Sequence, residues 1–263
     1  EGSSQDHLVL KESTVKRTLD AIARVRSILE AEGVSGNNCF LFATESLRMA
    51  ENSDPVKRML EKEAGVPVEL LSGTREAHLG LKGTSCSFGY DTTAFDLGGG
   101  SLEISTGDIS LSFPLGAVRM SNRFGEEPLE IEKEVMSHIH REVPSLRGRL
   151  IGVGGTSSSV IMMNEGISIN SYAPSLVHGK RITLGSLDSL LSLLMDPRVD
   201  RQNVTGLEPL RSDIIVAGIS VIRAVLKVFN VREYIHSETG ILWGFLLEKL
   251  QQRGLFIKGI AFE

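Results

Sequence analysis

Two glycine-rich turns, each closing an apolar run, are the residues in this chain best suited to chemistry on phosphate. Asp96-Leu97-Gly98-Gly99-Gly100-Ser101-Leu102-Glu103 ends one apolar run in a carboxylate, turns on three glycines and returns with a second carboxylate. Backbone without Cβ at Gly98, Gly99 and Gly100 lets a phosphate approach main-chain N–H groups closely, and Ser101 adds a hydroxyl donor. Asp96 and Glu103 flank the turn and are candidates to hold a hard divalent cation, directly or through water. Read alone, the stretch is equally a Gly-rich hairpin with charged ends. Gly152-Val153-Gly154-Gly155-Thr156 repeats the device, with a helix after it whose N-terminal dipole and N–H groups point at the loop. A pair of such turns suggests two loops facing each other across a cleft, with Arg48 and Glu76 reaching in from the other lobe.

Each of those two side chains has two readings. Arg48, in ATESLRMAEN (43–52), offers a fixed fork for phosphate oxygens or is a helix-surface arginine, and spacing alone favours the second. Glu76 stands in the first turn of a helix after a strand. It is either a partner of the helix dipole or a carboxylate that orients and deprotonates water. The histidines add little. His138 and His140 sit at i, i+2 and point to different sides of a helix. His178 lies in a loop as a turn or substrate-loop residue, and His236 ends a buried strand. No Ser-His-Asp order, HExxH or CxxC occurs, and Cys39 and Cys86 have no neighbouring base.

The elements that must hold these residues alternate. A stripe of Val15, Leu19, Ile22, Val25 and Leu29 predicts a helix over 13–32. Residues 39–44 predict a short buried strand. Asp54-Pro55 reads as an N-cap and first-turn proline opening a helix to about 64, and 66–71 as another strand. Strands follow at 92–97, 101–106 and 109–113, the last two joined by Gly107-Asp108, then helices at 117–124 and 129–141. A strand at 149–153 enters the second glycine turn. Helices at 186–195, 213–228 and 239–250 and a strand at 234–236 complete the pattern, with an apolar tail beyond. The fold class is α/β, with a first lobe at 1–87 and a second at 88–263, the closing helix being a candidate to return to the first lobe.

The bulk properties agree with a globular protein. The chain has 263 residues, 41% hydrophobic and 23% charged, with net charge −5 and no Lys/Arg block. That argues against broad nucleic-acid or membrane-surface binding but not against a polyanion, since N–H nests and a cation supply local positive potential. No apolar run spans a bilayer, the first six residues are unlike a signal peptide, and two cysteines make no disulfide framework, so the expected setting is cytoplasmic.

In this order, the segments resemble the exopolyphosphatase / guanosine pentaphosphate phosphohydrolase (Ppx/GppA) family of the actin, sugar-kinase and chaperone-ATPase superfamily. The matching stretches are ATESLRMAEN (43–52), LSGTREAHLGLKG (71–83), FDLGGGSLEIS (95–105), FPLGAVRMSNRF (113–124), IGVGGTSSSV (151–160), HGKRITL (178–184), RSDIIVAGISVIRAVL (211–226) and IHSETGILWGFLLEKL (235–250). The resemblance implies two actin-like (ribonuclease H-like) lobes with a cleft between them. It implies Glu76 as the base for the attacking water and Arg48 as a contact to the scissile phosphate. It gives Asp96 and Glu103 to magnesium or another divalent cation. Gly98 to Ser101 and Gly154 to Thr156 become phosphate-binding loops. The implied activity is removal of a terminal phosphate from inorganic polyphosphate, with guanosine pentaphosphate, or phosphate binding without hydrolysis, as alternatives; a homodimer is left open. Two departures stand out. The family's opening strand and DxGS-type loop are not recognised here, so the first lobe is expected to lack its N-terminal strands. Leu242-Trp243 replaces the usual arginine-glutamate. With no HD-type domain after the second lobe, the chain resembles the short members.

Overall fold

The structure, a computed structural model, describes residues 3–4, 7–34, 36–143 and 145–255; the apolar tail at 256–263 lies outside the described residues. The chain divides into two compact units, Glu1–Ser72 and Gly73–Glu263.

The first unit opens with two very short antiparallel strands, β1 (Ser3–Ser4) and β2 (His7–Leu8), followed by α1 (Glu12–Ala31). Then come β3 (Leu41–Ala43), α2 (Glu45–Arg48), α3 (Ser53–Ala64) and β4 (Val68–Leu70). β3 and β4 pair in parallel, Leu41 opposite Val68 and Ala43 opposite Leu70. The core is small: Val15 of α1, Leu47 of α2, Val56 and Leu60 of α3, and Val68. Of the expected α1 stripe, Val25 is 55% exposed and off this core. The start of α3 also differs from expectation. Asn52 is the N-cap, and its side chain both accepts from the Leu10 amide and donates to the Leu10 carbonyl, each at 2.9 Å. Asp54 and Pro55 therefore fall in the first turn.

The second unit begins one helix earlier than the sequence suggests. α4 (Gly73–Phe88), expected in the first lobe, packs on β5 (Thr92–Leu97), β6 (Leu102–Thr106) and β7 (Ile109–Phe113), so its burial belongs to this unit. α5 (Ala117–Phe124), α6 (Pro128–Ile139), β8 (Arg149–Val153), α7 (Gly155–Glu165), α8 (Pro174–Val177), β9 (Arg181–Thr183), α9 (Leu184–Leu194), α10 (Ile215–Val228), β10 (Glu233–His236) and α11 (Ile241–Gln252) follow. The six-stranded sheet has order β7-β6-β5-β8-β10-β9. β5, β8 and β10 run parallel, and β6, β7 and β9 run against their neighbours. β9 escaped the sequence reading because three residues, Arg-Ile-Thr, leave no period to detect.

Strand alternation separates two faces. Phe95, Leu97, Leu102, Ile104, Leu150 and Tyr234 enter the main core with α5, α6, α7, α9 and α10. The opposite face carries Ala94, Asp96 and Glu103 and is covered by α4, against which α11 lies. α4 and α11 cross backbone to backbone. A Cβ on Gly83 would strike the Gly240 carbonyl, and one on Gly244 the Leu79 carbonyl. The closing helix thus returns to α4, within the second unit. No helix among the described residues is long and apolar enough to cross a membrane.

Candidate functional site

Because β5, β8 and β10 are parallel and adjacent, their C-terminal ends open at one edge of the sheet, where ligands of open α/β sheets bind. Gly98 to Ser101, Gly154 to Thr156 and Ser237 to Gly240 all leave strands there. The two glycine turns are neighbours rather than facing walls. Asp96 pairs in register with Val153, and a Cβ on Gly154 would lie 2.6 Å from the Leu97 carbonyl oxygen and 2.9 Å from Asp96 Oδ1. Gly154 also has φ +96°, so glycine is required twice over.

The first turn is braced from one side. Its carbonyls are taken by the start of α5: Ala117 N–H donates to Gly98 O (3.0 Å), Val118 N–H to Gly99 O (2.9 Å), and Arg119 Nε to Gly100 O (3.0 Å). Among the described residues no protein acceptor takes the N–H of Gly99 or Gly100. Those two amides are the donors the turn can offer an anion. The second turn leads straight into α7, whose N-cap Gly154 provides no side-chain cap. Its first-turn N–H groups are thus also open to an anion.

Two serine and threonine hydroxyls expected to face a ligand point elsewhere. Ser101 is buried and hydrogen-bonds Glu103, which also accepts from Ser112 Oγ at 2.7 Å. Thr156 is buried against Gly218 of α10, where any Cβ would collide with it.

Three carboxylates converge on the α4-covered face. Asp96 and Glu103 are direct cross-strand partners, and Glu76, in the first turn of α4, is 8% exposed and acts on both by its charge. Burial first, then the charge of Glu76, raises the Asp96 carboxyl to about 6. Burial raises Glu103 to about 8 against the pull of the Ser101 and Ser112 hydroxyls, and the charges of Asp96 and Glu76 add to the rise. Such a cluster is unfavourable by itself, because like charges in a poorly solvated place resist ionisation together. Among the described residues no three His, Cys, Asp or Glu side chains are arranged as a ready metal cage. A cation here would draw few carboxylate ligands and complete its shell with water and phosphate, as magnesium does.

Arg48 lies in the first unit, at the end of α2, where it donates to the Leu71 carbonyl. Glu76, expected to share its lobe, is instead in the same unit as both glycine turns.

Arg211 was not singled out from the sequence, although it begins the quoted RSDIIVAG stretch. Its guanidinium lies where a Cβ on Gly155 would be, over the start of α7, and its Nε bonds Glu208 Oε2 at 2.9 Å. The signal available was a cation just before a strongly apolar helix that packs on a glycine turn.

His236 does end a buried strand, and it anchors a network beside the second turn. Its Nδ1 meets Ser157 Oγ at 2.7 Å and its Nε2 meets Glu238 Oε1 at 2.8 Å. Tyr172 donates to Glu238 Oε2 at 2.9 Å, and His178 Nδ1 accepts the Glu238 amide at 3.1 Å. Burial opposes ionisation of Glu238, but the bonds from His236, Tyr172 and Ser158 outweigh it and lower its carboxyl below the ordinary value. Burial lowers His178, which also packs on Phe88 with ring centroids 5.1 Å apart, so it serves the loop as a neutral acceptor. His138 and His140 are exposed.

The chain is similar to known phosphatases. The model of the Ppx/GppA phosphatase family matches residues 1–253. A bifunctional 3-dehydroquinate synthase/phosphatase of Fusobacterium nucleatum is 28% identical, over 93% of this chain and 40% of its own length. Exopolyphosphatase 1 of Mycobacterium tuberculosis is 28% identical, over 80% of this chain and 66% of its own. The chain therefore spans less than two thirds of either relative. The crystal structure of an exopolyphosphatase from Cytophaga hutchinsonii superposes with TM-score 0.78 at 23% identity, covering 96% of this chain and 86% of that one. It shares the fold.

Proposed function

The chain belongs to the Ppx/GppA phosphatase family, and from that premise we propose that it removes the terminal phosphate of inorganic polyphosphate by attack of water. The observation that carries this reading is the set of buried Glu76 and Glu103 with half-buried Asp96 beside two glycine turns at one sheet edge.

The turns bind. The Gly99 and Gly100 amides and the first-turn N–H groups of α7 donate to non-bridging phosphate oxygens, and the Arg211 guanidinium over Gly155 adds positive charge. Glu76 holds the water and takes its proton as the water oxygen bonds to the terminal phosphorus. The phosphoanhydride P–O bond breaks, and the shortened chain leaves with the bridging oxygen. The carboxylates raised to about 6 and about 8 fit a magnesium ion held by Asp96 and Glu103, directly or through water. When bound, that ion supplies charge neutralisation of the phosphate oxygens. The reaction is assigned to the cytoplasm.

The test is phosphate release from long polyphosphate and from guanosine pentaphosphate, each with and without magnesium, by wild type and Glu76→Gln. Magnesium-dependent release from polyphosphate, abolished in the variant, supports the proposal. Faster release from the nucleotide would move the substrate assignment to it. Tight phosphate binding with no release from either would replace the hydrolase by a phosphate-binding protein.

A further inference from the structure

At the far end of the strands, away from the glycine turns, the second unit carries a cavity of about 290 Å³. Arg149 opens β8, and the second glycine turn closes it four residues later. At about 3.3 Å per residue the two ends are separated by roughly 13 Å along the strand.

Three arginines line this cavity, from three neighbouring strands of the sheet: Arg149 of β8, Arg181 of β9 and Arg232 just before β10. Their partners account for only part of their capacity. Arg149 Nη2 donates to the Phe88 carbonyl at 2.8 Å and the group lies over the Phe88 ring. Arg181 pairs with Glu233, the carboxylate in the lining, at 2.6 Å. Arg232 has no side-chain hydrogen-bond or carboxylate partner among the described residues. The Asp91 carboxyl lies behind Gly148 at the rim. Even counting Asp91, cations exceed anions here, in a chain whose net charge is −5. A concave place with low-dielectric walls focuses that local excess on an incoming anion.

The spacing says which anion. β8 and β9 flank β10, so Arg149 and Arg181 are rooted two strand spacings apart, about 10 Å at ~4.8 Å each. Arg149 is held at Phe88 and Arg181 at Glu233, so a linear run of phosphates engages more of these separately held forks at once than a single phosphate does, and each guanidinium presents the geometry its oxygens need.

We infer that this cavity is a second anion site, separate from the glycine-turn edge, that takes an oligophosphate of three or more phosphate groups. The inference stands on the arginines and does not depend on the catalytic reading. The phosphates can come from a free inorganic chain or from a nucleoside triphosphate tail, and two ligands distinguish these.

The experiment is titration calorimetry of the full chain in EDTA. EDTA removes any cation-assisted binding at the glycine turns, and the arginine variants report the cavity itself. Inorganic tripolyphosphate should bind, orthophosphate at least about ten-fold more weakly. Arg232→Gln should weaken tripolyphosphate about ten-fold, and Arg181→Glu with Arg232→Glu should abolish binding. Guanosine triphosphate binding as tightly as tripolyphosphate assigns recognition to the tail; tighter binding assigns part of it to the nucleoside. Absence of tripolyphosphate binding, equal binding of orthophosphate, or an unchanged affinity in Arg232→Gln overturns the inference. Arg232 is exposed, so that variant decides the matter even where the double variant does not fold.

Discussion

Glu103→Gln should raise the stability of the metal-free protein at alkaline pH and leave it nearly unchanged at pH 4. Burial and the neighbouring charges of Asp96 and Glu76 move the Glu103 carboxyl from 4.5 to about 8 in the fold. The folded state therefore holds a proton that the unfolded chain has released between those values. Stability from this group is fully present below pH 4.5 and is lost as pH rises through about 8. At about 1.36 kcal/mol per pKa unit, ionising Glu103 above pH 8 costs on the order of 5 kcal/mol. Glutamine keeps one carbonyl acceptor for the Ser101 or Ser112 hydroxyl but not both, which takes back about 1 kcal/mol. Asp96 and Glu76 ionise more easily once Glu103 is neutral, and that relief is already inside the same coupled total. A net gain of about 4 kcal/mol at pH 9 corresponds to roughly 8–16 °C in the melting transition of a domain of this size. The assay is thermal unfolding in EDTA at pH 4, 7 and 9, repeated with magnesium. Wild type should gain stability from magnesium at pH 9, and Glu103→Gln should gain much less. A variant that melts lower than wild type at pH 9 in EDTA would falsify the reasoning about the carboxylate cluster.

Glu76→Gln should lower kcat by roughly 10²–10⁴-fold with KM within a few-fold, as steady-state phosphate release will show. Gly154→Ala should cost about 2 kcal/mol or more in thermal unfolding, because its φ of +96° and its contacts at 2.6 and 2.9 Å both exclude a Cβ. Arg211→Ala should raise KM for the phosphate substrate about ten-fold, whereas Arg211→Lys should recover only part of it, since the fork is lost. His236→Ala should destabilise the fold by about 2 kcal/mol or more, leaving Glu238 and Ser157 short of a buried partner, as chemical denaturation can measure.

Much of this arrangement is legible in the sequence, and the exceptions have physical reasons. The strands at 92–97, 102–106 and 149–153 announce themselves because each is a compact apolar or alternating run stopped by glycine. α1 is legible from Val15, Leu19 and Ile22, yet the same stripe includes the exposed Val25, since periodicity tells which face is apolar and not how far a small core extends. Asp54-Pro55 looked like the start of α3, but tertiary structure moved the cap. Asn52 gains two hydrogen bonds to Leu10, forty-two residues away, and local sequence carries no trace of them. Arg181 to Thr183 is a strand only because β10 is beside it. The lobe boundary was misplaced for the same reason: Gly73 to Phe88 reads as the next helix of an alternating pattern, while its packing partners begin at Thr92.

The site repeats this distinction between local and long-range information. Turns at Gly98 to Gly100 and Gly154 to Gly155 are visible because glycine is a local requirement of a close backbone approach. Their adjacency is not visible; it comes from the pairing of β5 with β8, which sets Asp96 beside Val153. That one register also decides the electrostatics. It turns Asp96 to the face that α4 covers, opposite Glu103 and toward Glu76, so three carboxylates that look like separate helix and hairpin ends become one coupled cluster. A slip of one residue in β5 would turn Asp96 into the main core in place of Phe95 or Leu97, where no cation could offset its charge. The hydrophobic alternation that builds the core therefore also fixes the polarity of the site. For that reason the apolar residues flanking Asp96, rather than the glycines after it, are the part of this motif whose substitution should disturb both stability and metal response together.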